Sequence, residues 1–205
     1  MATLTLDGSQ SGVVLKDGVY FYPTGYVNAG VIAITVPAHI GGDLISTGAA
    51  SDITSTSDLN VCGNISSGRD ILPAGALACE GSVVAVRDII AGNDIVAKGS
   101  IMAGRVLTAA NSLVSGKNIY AFGAILAGVN IQAKESIVSQ ANITATAGFI
   151  LCDELLCTDN AIACALQAQG KTIYCSSITS GAAYNIFCDE MFGTVSAGIV
   201  LKKNF

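Results

Sequence analysis

The sequence predicts an all-β fold: a single-stranded parallel β-solenoid, or β-helix, built from hexapeptide repeats with a triangular cross-section. Three observations support this prediction. An aliphatic residue recurs every six positions, a small residue follows it two positions later, and turn-forming residues close each repeat. A helix is excluded, because a position repeated every six residues moves around a helix of about 3.6 residues per turn instead of staying on one face.

The aliphatic positions form an unbroken run in which every residue is Ile, Leu or Val. They are Ile53, Leu59, Ile65, Ile71, Leu77, Val83, Ile89, Ile95, Ile101, Leu107, Leu113, Ile119, Ile125, Ile131, Ile137 and Ile143. Two residues later stands Ala, Ser or Cys, except at Val61 and Pro73. Because side chains alternate across a strand, the aliphatic residue and the small residue are both predicted to point inward, within a short strand that is followed by a corner.

The corners and the coil length follow from the remaining positions. The residue before the aliphatic is Asp, Asn or Ser at 13 of the 16 positions, and the residues that close the repeat are rich in Gly, Lys, Arg and Asn, which favour bends. Several residues recur at a spacing of 18, among them Arg69, Arg87 and Arg105, whereas a spacing of 12 matches less well. A spacing of 18 corresponds to three hexapeptides per coil and predicts three parallel sheets, with a flatter two-sheet coil as the alternative.

The two ends of the chain differ from the repeats. Residues 1–33 hold alternating strands separated by Asp-Gly and Thr-Gly turns, and residues 184–205 contain several aromatic residues. Because solenoid ends expose strand edges, which need a cap or a partner, we predict cap or assembly segments at 1–33 and 184–205 around a solenoid at 34–183. The spacing slips by one at Phe149, after which we expect the inward row to resume with Ile150, Leu156 and Ile162.

Composition and charge argue against several classes of partner. The net charge is −5, and ten Lys and Arg residues do not make the basic stripe that binding of nucleic acid requires. There is no uninterrupted apolar run of about 18 residues, so no membrane span is expected. The N-terminus does not resemble a signal peptide, which predicts cytoplasmic synthesis, with cytoskeletal, virion or spore-layer assembly to follow. No Walker-type phosphate loop is present, and we expect neither a nucleotide nor any other cofactor.

Candidate catalytic and metal-binding residues are few. The only histidine, His39, precedes the regular repeats, and no Ser-His-Asp or Cys-His constellation can be assembled around it. The hexapeptide acyltransferases rely on a histidine and place the small residue before the aliphatic one, so this chain has the wrong phase for that class. Asp70, Asp88 and Asp94 could form a cation-binding column, but arginines beside two of them favour ladders of ion pairs. We therefore expect no catalytic, cofactor-binding or metal site.

The seven cysteines show no CxxC pair and no metal-like cluster with histidine. Those at the inward small position are Cys79, Cys152, Cys164 and Cys175. We interpret them as small core residues. Cys157 and Cys175 are separated by the length of one coil, so a disulfide between adjacent coils is an alternative for this pair.

The outward position, one residue after each aliphatic, is more apolar than a solvated solenoid requires. At a spacing of 18, one face carries Leu72, Ile90, Leu126 and, between and after them, Thr108 and Thr144. Another face carries Val84, Met102, Tyr120 and Val138, so the two faces hold seven large apolar or aromatic residues. Coils stack about 4.8 Å apart, so these columns form apolar stripes, and patches beyond a few hundred Å² usually mark interfaces. We predict that these seven residues form assembly interfaces; the alternative is a soluble monomer with an apolar surface.

The strings Asp-Ile-Ile-Ala-Gly-Asn-Asp-Ile-Val-Ala-Lys-Gly-Ser-Ile-Met-Ala-Gly and Ile-Leu-Ala-Gly-Val-Asn-Ile-Gln-Ala-Lys resemble polymer-forming β-helix proteins, the bactofilins above all. The likeness covers roughly residues 53–180 and lies in the rhythm of the repeat. It implies a cytoskeletal scaffold that polymerises end to end without nucleotide. The strict six-residue spacing, the Ala-rich inner row, the apolar outer row and the larger end segments depart from that family.

These observations together predict a non-enzymatic structural protein that assembles with itself into a filament or lattice through solenoid ends and apolar side faces. Two alternatives belong to other classes: a viral or phage fibre, spike or decoration protein, and a carbohydrate-binding solenoid. Carbohydrate binding needs exposed aromatic side chains, and within the repeats we expect only Tyr120 to qualify. A polysaccharide lyase ranks last, because lyase solenoids have longer, irregular coils.

Overall fold

The computed structural model describes residues 3–157, 161–170, 172–180, 185–188, 190–197 and 199–202. Over these residues the chain is all β and forms a solenoid of parallel strands, with about nine turns of roughly 18 residues each. The predicted fold class is therefore confirmed. The part of the chain described holds no apolar helix long enough to cross a lipid bilayer.

Each coil contributes one strand to each of three faces, which the chain visits in the order face 1, face 2, face 3. Face 1 consists of Leu4–Leu6, Ile32–Ile34, Ile53–Ser55, Ile71–Pro73, Ile89–Ala91, Leu107–Ala109, Ile125–Ala127, Ile143–Ala145 and Ala161–Cys164. Face 2 consists of Val14–Lys16, Val19–Tyr22, Ala38–Ile40, Leu59–Val61, Leu77–Cys79, Ile95–Ala97, Leu113–Ser115, Ile131–Ala133, Ile150–Leu151, Ala168–Gln169, Asn185–Cys188 and Ile199–Lys202. Face 3 consists of Tyr26–Asn28, Leu44–Ser46, Ile65–Ser67, Val83–Ala85, Ile101–Ala103, Ile119–Ala121, Ser136–Ser139 and Glu154–Cys157. Two longer strands, Thr172–Thr179 and Glu190–Ala197, run around the corner and belong to faces 3 and 1 together.

The strands of each face pair in parallel and in register, so that equivalent positions of successive coils stack on one another. Ile95, for example, pairs with Leu113, its equivalent one coil further on. One coil is longer, because residues 47–51 extend a corner and Leu44 pairs with Ile65. At the N-terminal end of face 2 the first two strands form an antiparallel hairpin.

The inward rows fill the prism as predicted. The aliphatic side chains from Ile53 to Ile143 are 0–1% exposed, and the small residues that follow them are also buried. Serine in this row keeps its hydroxyl satisfied: Ser67 Oγ and Ser115 Oγ each donate to backbone carbonyls of the corners at 2.8–3.0 Å. A buried hydroxyl with such partners avoids the desolvation cost of an unmet hydrogen bond.

The polar residue before most of the aliphatic residues also has a structural reason. Its side-chain oxygen accepts the backbone N–H of the equivalent residue one coil further on. Asn64 Oδ1 accepts from Ser82 at 2.9 Å, and Asp94 Oδ1 accepts from Ser112 at 2.9 Å. Asp, Asn and Ser are the short side chains that can bond a nearby backbone group in this way, which explains their recurrence at this position.

Charged residues form a ladder along the corner between faces 3 and 1. Its members, in order, are Asp52, Arg69, Asp70, Arg87, Asp88 and Arg105. Arg105 Nε donates to Asp88 Oδ1 at 2.9 Å, and Arg87 Nε lies 3.7 Å from Asp70 Oδ1. The predicted ion-pair ladder is confirmed. The alternative, a cation-binding column of Asp70, Asp88 and Asp94, was wrong, because Asp94 lies on a different corner from the other two carboxylates.

The extra residue at Phe149 is absorbed differently from the prediction. The next repeat is one residue shorter, so Leu155 points inward and is 1% exposed, whereas Leu156 points outward. The expectation that Leu156 lies in the inward row was therefore wrong. Leu155 pairs with Ile137, its equivalent in the preceding coil, so face 3 keeps its period through this region.

Strand pairing continues into both end segments. Leu4–Leu6 stacks on face 1, and Ile199–Lys202 stacks on face 2. Tyr22 closes the N-terminal end of the core: it is 1% exposed, and its hydroxyl accepts the Gly8 N–H at 2.9 Å. The division of the chain into caps and solenoid at residues 34 and 184 stays a prediction.

Asp88→Ala should lower the free energy of unfolding by about 1–3 kcal/mol, because it removes a buried acceptor of the Val106 N–H and the charge partner of Arg105. The hydrogen bond from Arg105 holds the pKa of the Asp88 carboxyl below its ordinary value of 3.8, although burial acts to raise it. A carboxyl with a lowered folded-state pKa stabilises the fold above its unfolded pKa, and this contribution is lost as the pH falls through the folded pKa.

Urea unfolding followed by circular dichroism should therefore show a difference between wild type and Asp88→Ala that is largest near neutral pH and shrinks at pH values well below 3.8. Glu80→Ala is the control, because the Glu80 carboxylate pairs with Lys98 in solvent. Its effect should stay within about 0.5 kcal/mol. Equal losses in both variants would contradict a stabilising role for the ladder.

Candidate interaction surface

Face 3 carries a column of outward side chains that is apolar at all but one of its ten positions. In coil order these are Val27, Ile45, Ser66, Val84, Met102, Tyr120, Val138, Leu156, Tyr174 and Phe192. We call this column the face 3 stripe. Each member pairs in register with the next, so at about 4.8 Å per strand the stripe is roughly 43 Å long.

The four residues predicted on this face lie together in the middle of the stripe. Met102 is exposed, and Val84, Tyr120 and Val138 are half-buried. Their stacking order is the one that the spacing of 18 predicts. That they form an interface between molecules stays a prediction.

Sequence reasoning missed the outer members of the stripe. The apolar ones among them are Val27 and Ile45 at one end and Leu156, Tyr174 and Phe192 at the other. The signal for the second group was present, since stepping by 18 from Val84 reaches Phe192 without a break. The slip of the inward row at Phe149 made this period hard to recognise. The insertion at 47–51 lengthens one coil, so Val27 and Ile45 are not reached by steps of 18.

A depression of about 160 Å³ lies beside the centre of the stripe. Gly104 forms part of it, between Val86 and Phe122 on the neighbouring coils of the same corner. A Cβ at Gly104 would overlap the carbonyl oxygen of Val86, so this position has no room for a side chain. Phe122 is 54% exposed and meets the Tyr120 ring edge-on, with the ring centroids 5.1 Å apart.

Aromatic side chains are more exposed than predicted. Besides Phe122, both Tyr174 and Phe192 are exposed, with ring centroids 6.1 Å apart. The expectation that Tyr120 would be the only exposed aromatic residue within the repeats was wrong. The prediction considered only the position directly after each inward aliphatic residue. Phe122 stands at a corner, and the other two rings lie beyond the slip.

The second predicted group lies on face 1 and is less continuous. Leu72 is half-buried, and Ile90 and Leu126 are exposed. Thr108 stacks between Ile90 and Leu126, and Thr144 follows Leu126. The seven predicted residues are therefore divided between two faces, and among the described residues only face 3 carries an apolar column along its length.

His39 lies within the coils, on the outward side of face 2, where it pairs with Asn60. Its Nε2 is 3.2 Å from Cys62 Sγ, and the Phe21 ring lies 5.0 Å from the imidazole. His39 and Cys62 border an open cleft of about 420 Å³ that also includes Glu80. Among the residues that the structure describes, no three His, Cys, Asp or Glu side chains are placed to hold a metal ion.

The predicted core cysteines are buried. These are Cys79, Cys152, Cys164 and Cys175. Burial raises the pKa of the Cys152 thiol to about 12 and that of Cys164 to about 11. Cys157 and Cys175 occupy equivalent positions of adjacent coils, but no disulfide joins them. The Cys157 thiol instead donates to the carbonyl of Ala141 at 2.9 Å, in the preceding coil, whereas Cys175 lies in the following one.

Comparison of the chain with protein-family models, with curated proteins and with solved structures finds no match in any of the three. The fold class rests on the strand register described above. Function is accordingly inferred from the surfaces that this register creates.

A thiol titration tests the inward and outward assignments of the cysteines. In the native protein only Cys62, which is exposed, should react rapidly with a disulfide reagent, because the other six thiols are buried. Unfolding in urea should release all seven. Cys62→Ser should abolish the rapid reaction of the native protein. Any thiol that still reacts rapidly in this variant would contradict the assignment of the other six cysteines to buried positions.

Proposed function

We propose that this chain is a non-enzymatic structural protein that assembles with copies of itself, and that the face 3 stripe is its principal contact. The observation that carries the proposal is the outward column of ten stacked positions, nine of which are apolar. The inward rows alone are enough to build the core, so apolar residues on the outside need a separate reason. Contiguous apolar patches of this kind are typical of protein interfaces.

The size of the stripe is that of a modest interface. A length of roughly 43 Å and a width of about 10 Å, three residues at about 3.3 Å each, give roughly 430 Å² per copy. Two copies would then bury about 860 Å² in total through the stripe alone, so side chains at the border of the stripe, such as Phe122, have to add to a specific contact. Removal of apolar surface from water supplies the driving force, at about 25 cal/mol per Å² before the costs of association.

The solenoid ends provide a second kind of contact. Tyr26–Asn28 is the outermost described strand of face 3 at one end, and Ile199–Lys202 is the outermost described strand of face 2 at the other. Outermost strands present backbone groups with which a strand of another copy can pair. End contacts lengthen the solenoid and stripe contacts join solenoids side by side, which together produce a filament or a lattice. The repeat rhythm shared with the bactofilins supports the same proposal.

A carbohydrate-binding solenoid is the second candidate, and the aromatic pairs at the surface favour it. Tyr120 with Phe122 and Tyr174 with Phe192 form two such pairs. Sugar sites, however, combine apolar surfaces with convergent polar groups that fix orientation. The side chains stacked next to these rings along the stripe are apolar, which favours self-association.

Negative-stain electron microscopy and sedimentation of the purified chain, without nucleotide or metal, should show filaments or sheets. Met102→Glu should raise the concentration needed for assembly roughly tenfold or more, because a carboxylate in the contact would have to be desolvated. Val96→Glu is the matched control: Val96 is equally exposed but lies on face 2. A wild-type protein that stays monomeric at every concentration would rule out the proposed function.

The contribution of face 1 has its own test. Replacement of Leu72, Ile90 and Leu126 together by lysine should leave contacts through the face 3 stripe intact and narrow the assemblies seen in the microscope. The physical reason is that three charges cannot be buried between packed faces without partners. Assemblies of unchanged width would show that face 1 takes no part.

A further inference from the structure

We infer that the face 3 stripe pairs with the stripe of a second copy in antiparallel orientation, about a two-fold axis between the rows of Met102 and Tyr120. This inference rests on the proposed self-association and adds the geometry of the pair. The axis lies in the plane of the contact and along the strand direction. Each copy then contributes the same surface, as in the closed two-fold contacts that are commonest among soluble oligomers.

The distribution of side-chain volume along the stripe sets the orientation. The first four positions are Val27, Ile45, Ser66 and Val84, and the last five are Tyr120, Val138, Leu156, Tyr174 and Phe192. All three aromatic rings of the stripe therefore lie in one half. Packed interfaces approach the density of protein interiors, so bulky residues on one copy need small ones opposite.

Antiparallel pairing comes closer to this requirement than parallel pairing does. It places Val27 opposite Phe192, Ile45 opposite Tyr174, Ser66 opposite Leu156, Val84 opposite Val138 and Met102 opposite Tyr120. A parallel pair would instead set each residue against itself. Phe192 would then meet Phe192 and hold the faces apart, while the two Ser66 side chains would leave a gap.

The corner beside the stripe supports the same axis. Rotation about the strand direction places this corner of one copy against the same corner of the other, with the order of the coils reversed. The coil that holds Gly104 in one copy therefore faces the coil that holds Phe122 in the other. The depression at Gly104 measures about 160 Å³. Cavities of about 150 Å³ are known to bind benzene, so a phenyl ring fits there. Each Phe122 ring, 54% exposed in the single chain, enters the depression of the other copy.

Carboxylates along the other border of the stripe do not oppose this arrangement. Asp43, Glu154 and Glu190 each stand two residues before a member of the stripe, on three different coils. In the antiparallel pair Asp43 lies opposite Thr172, Glu154 lies opposite Asn64 and Glu190 lies opposite Gly25. None of the three carboxylates meets another of them, so no like-charge repulsion arises among them.

Cross-linking of two single-cysteine variants tests the orientation. Ser66→Cys and Leu156→Cys are each made in a Cys62→Ser background, where the remaining native thiols are buried. A bis-maleimide with a spacer of about 10 Å, the separation of packed sheets, is added to each variant alone and to their mixture. The mixture should give a covalent dimer containing one copy of each variant. Either variant alone should not, because its two cysteines would be roughly 24 Å apart, five strand spacings.

Phe122→Ala, added to both cysteine variants, should weaken the pair. The dissociation constant should rise roughly tenfold or more, which is measured as a loss of cross-linking between the two variants. Val96→Ala, on face 2, is the control and should cross-link as the parent does. Covalent dimers formed by Ser66→Cys alone would indicate a parallel pair and overturn the inference while self-assembly stands. Assembly without any cross-link would likewise overturn it, and a monomer in sedimentation would overturn the proposed function as well.

Discussion

Backbone hydrogen bonding between successive coils, in parallel and in register, is the constraint on which the rest of this structure depends. It stacks each position of the repeat on the same position one coil further on, so the character of a whole column is decided by residues that recur once per coil. Ile95 beneath Leu113 is one case in the core, and Met102 beneath Tyr120 is one on the surface. When one residue type recurs at the same position of every coil, it forms a surface tens of ångströms long.

The corners show how that stacking is maintained where the chain bends. A bend interrupts the regular strand, and the side-chain oxygens of Asp, Asn and Ser take up the backbone N–H groups there, as Asn64 does for Ser82. The charged ladder on the corner between faces 3 and 1 adds a second set of contacts from coil to coil, with Asp88 bonded both to Arg105 and to the Val106 N–H. These polar columns stabilise the coil without occupying the core.

The same stacking accounts for the proposed assembly. Outward positions are free of packing requirements within one chain, so their composition reflects what lies outside it. On faces 1 and 2 the outward columns mix apolar and polar residues, whereas on face 3 the column stays apolar past the slip at Phe149. Face 3 keeps its spacing of 18 residues at the slip, whereas faces 2 and 1 take up the extra residue. A spacing that is kept on one face is what contact with a second regular surface would require.

Much of the fold could be predicted from the sequence, because alternation across a strand and a period of 18 are local rules that each repeat obeys. They determined the inward rows, the three faces, the burial of the cysteines at inward positions and the central four members of the stripe. The tertiary structure alone decided that Leu155 rather than Leu156 points inward, because the position of a corner depends on how the coils above and below constrain it. It also decided that the corner between Gly104 and Phe122 forms an open depression, since the period of 18 places these two residues on adjacent coils but does not determine how the corner bends.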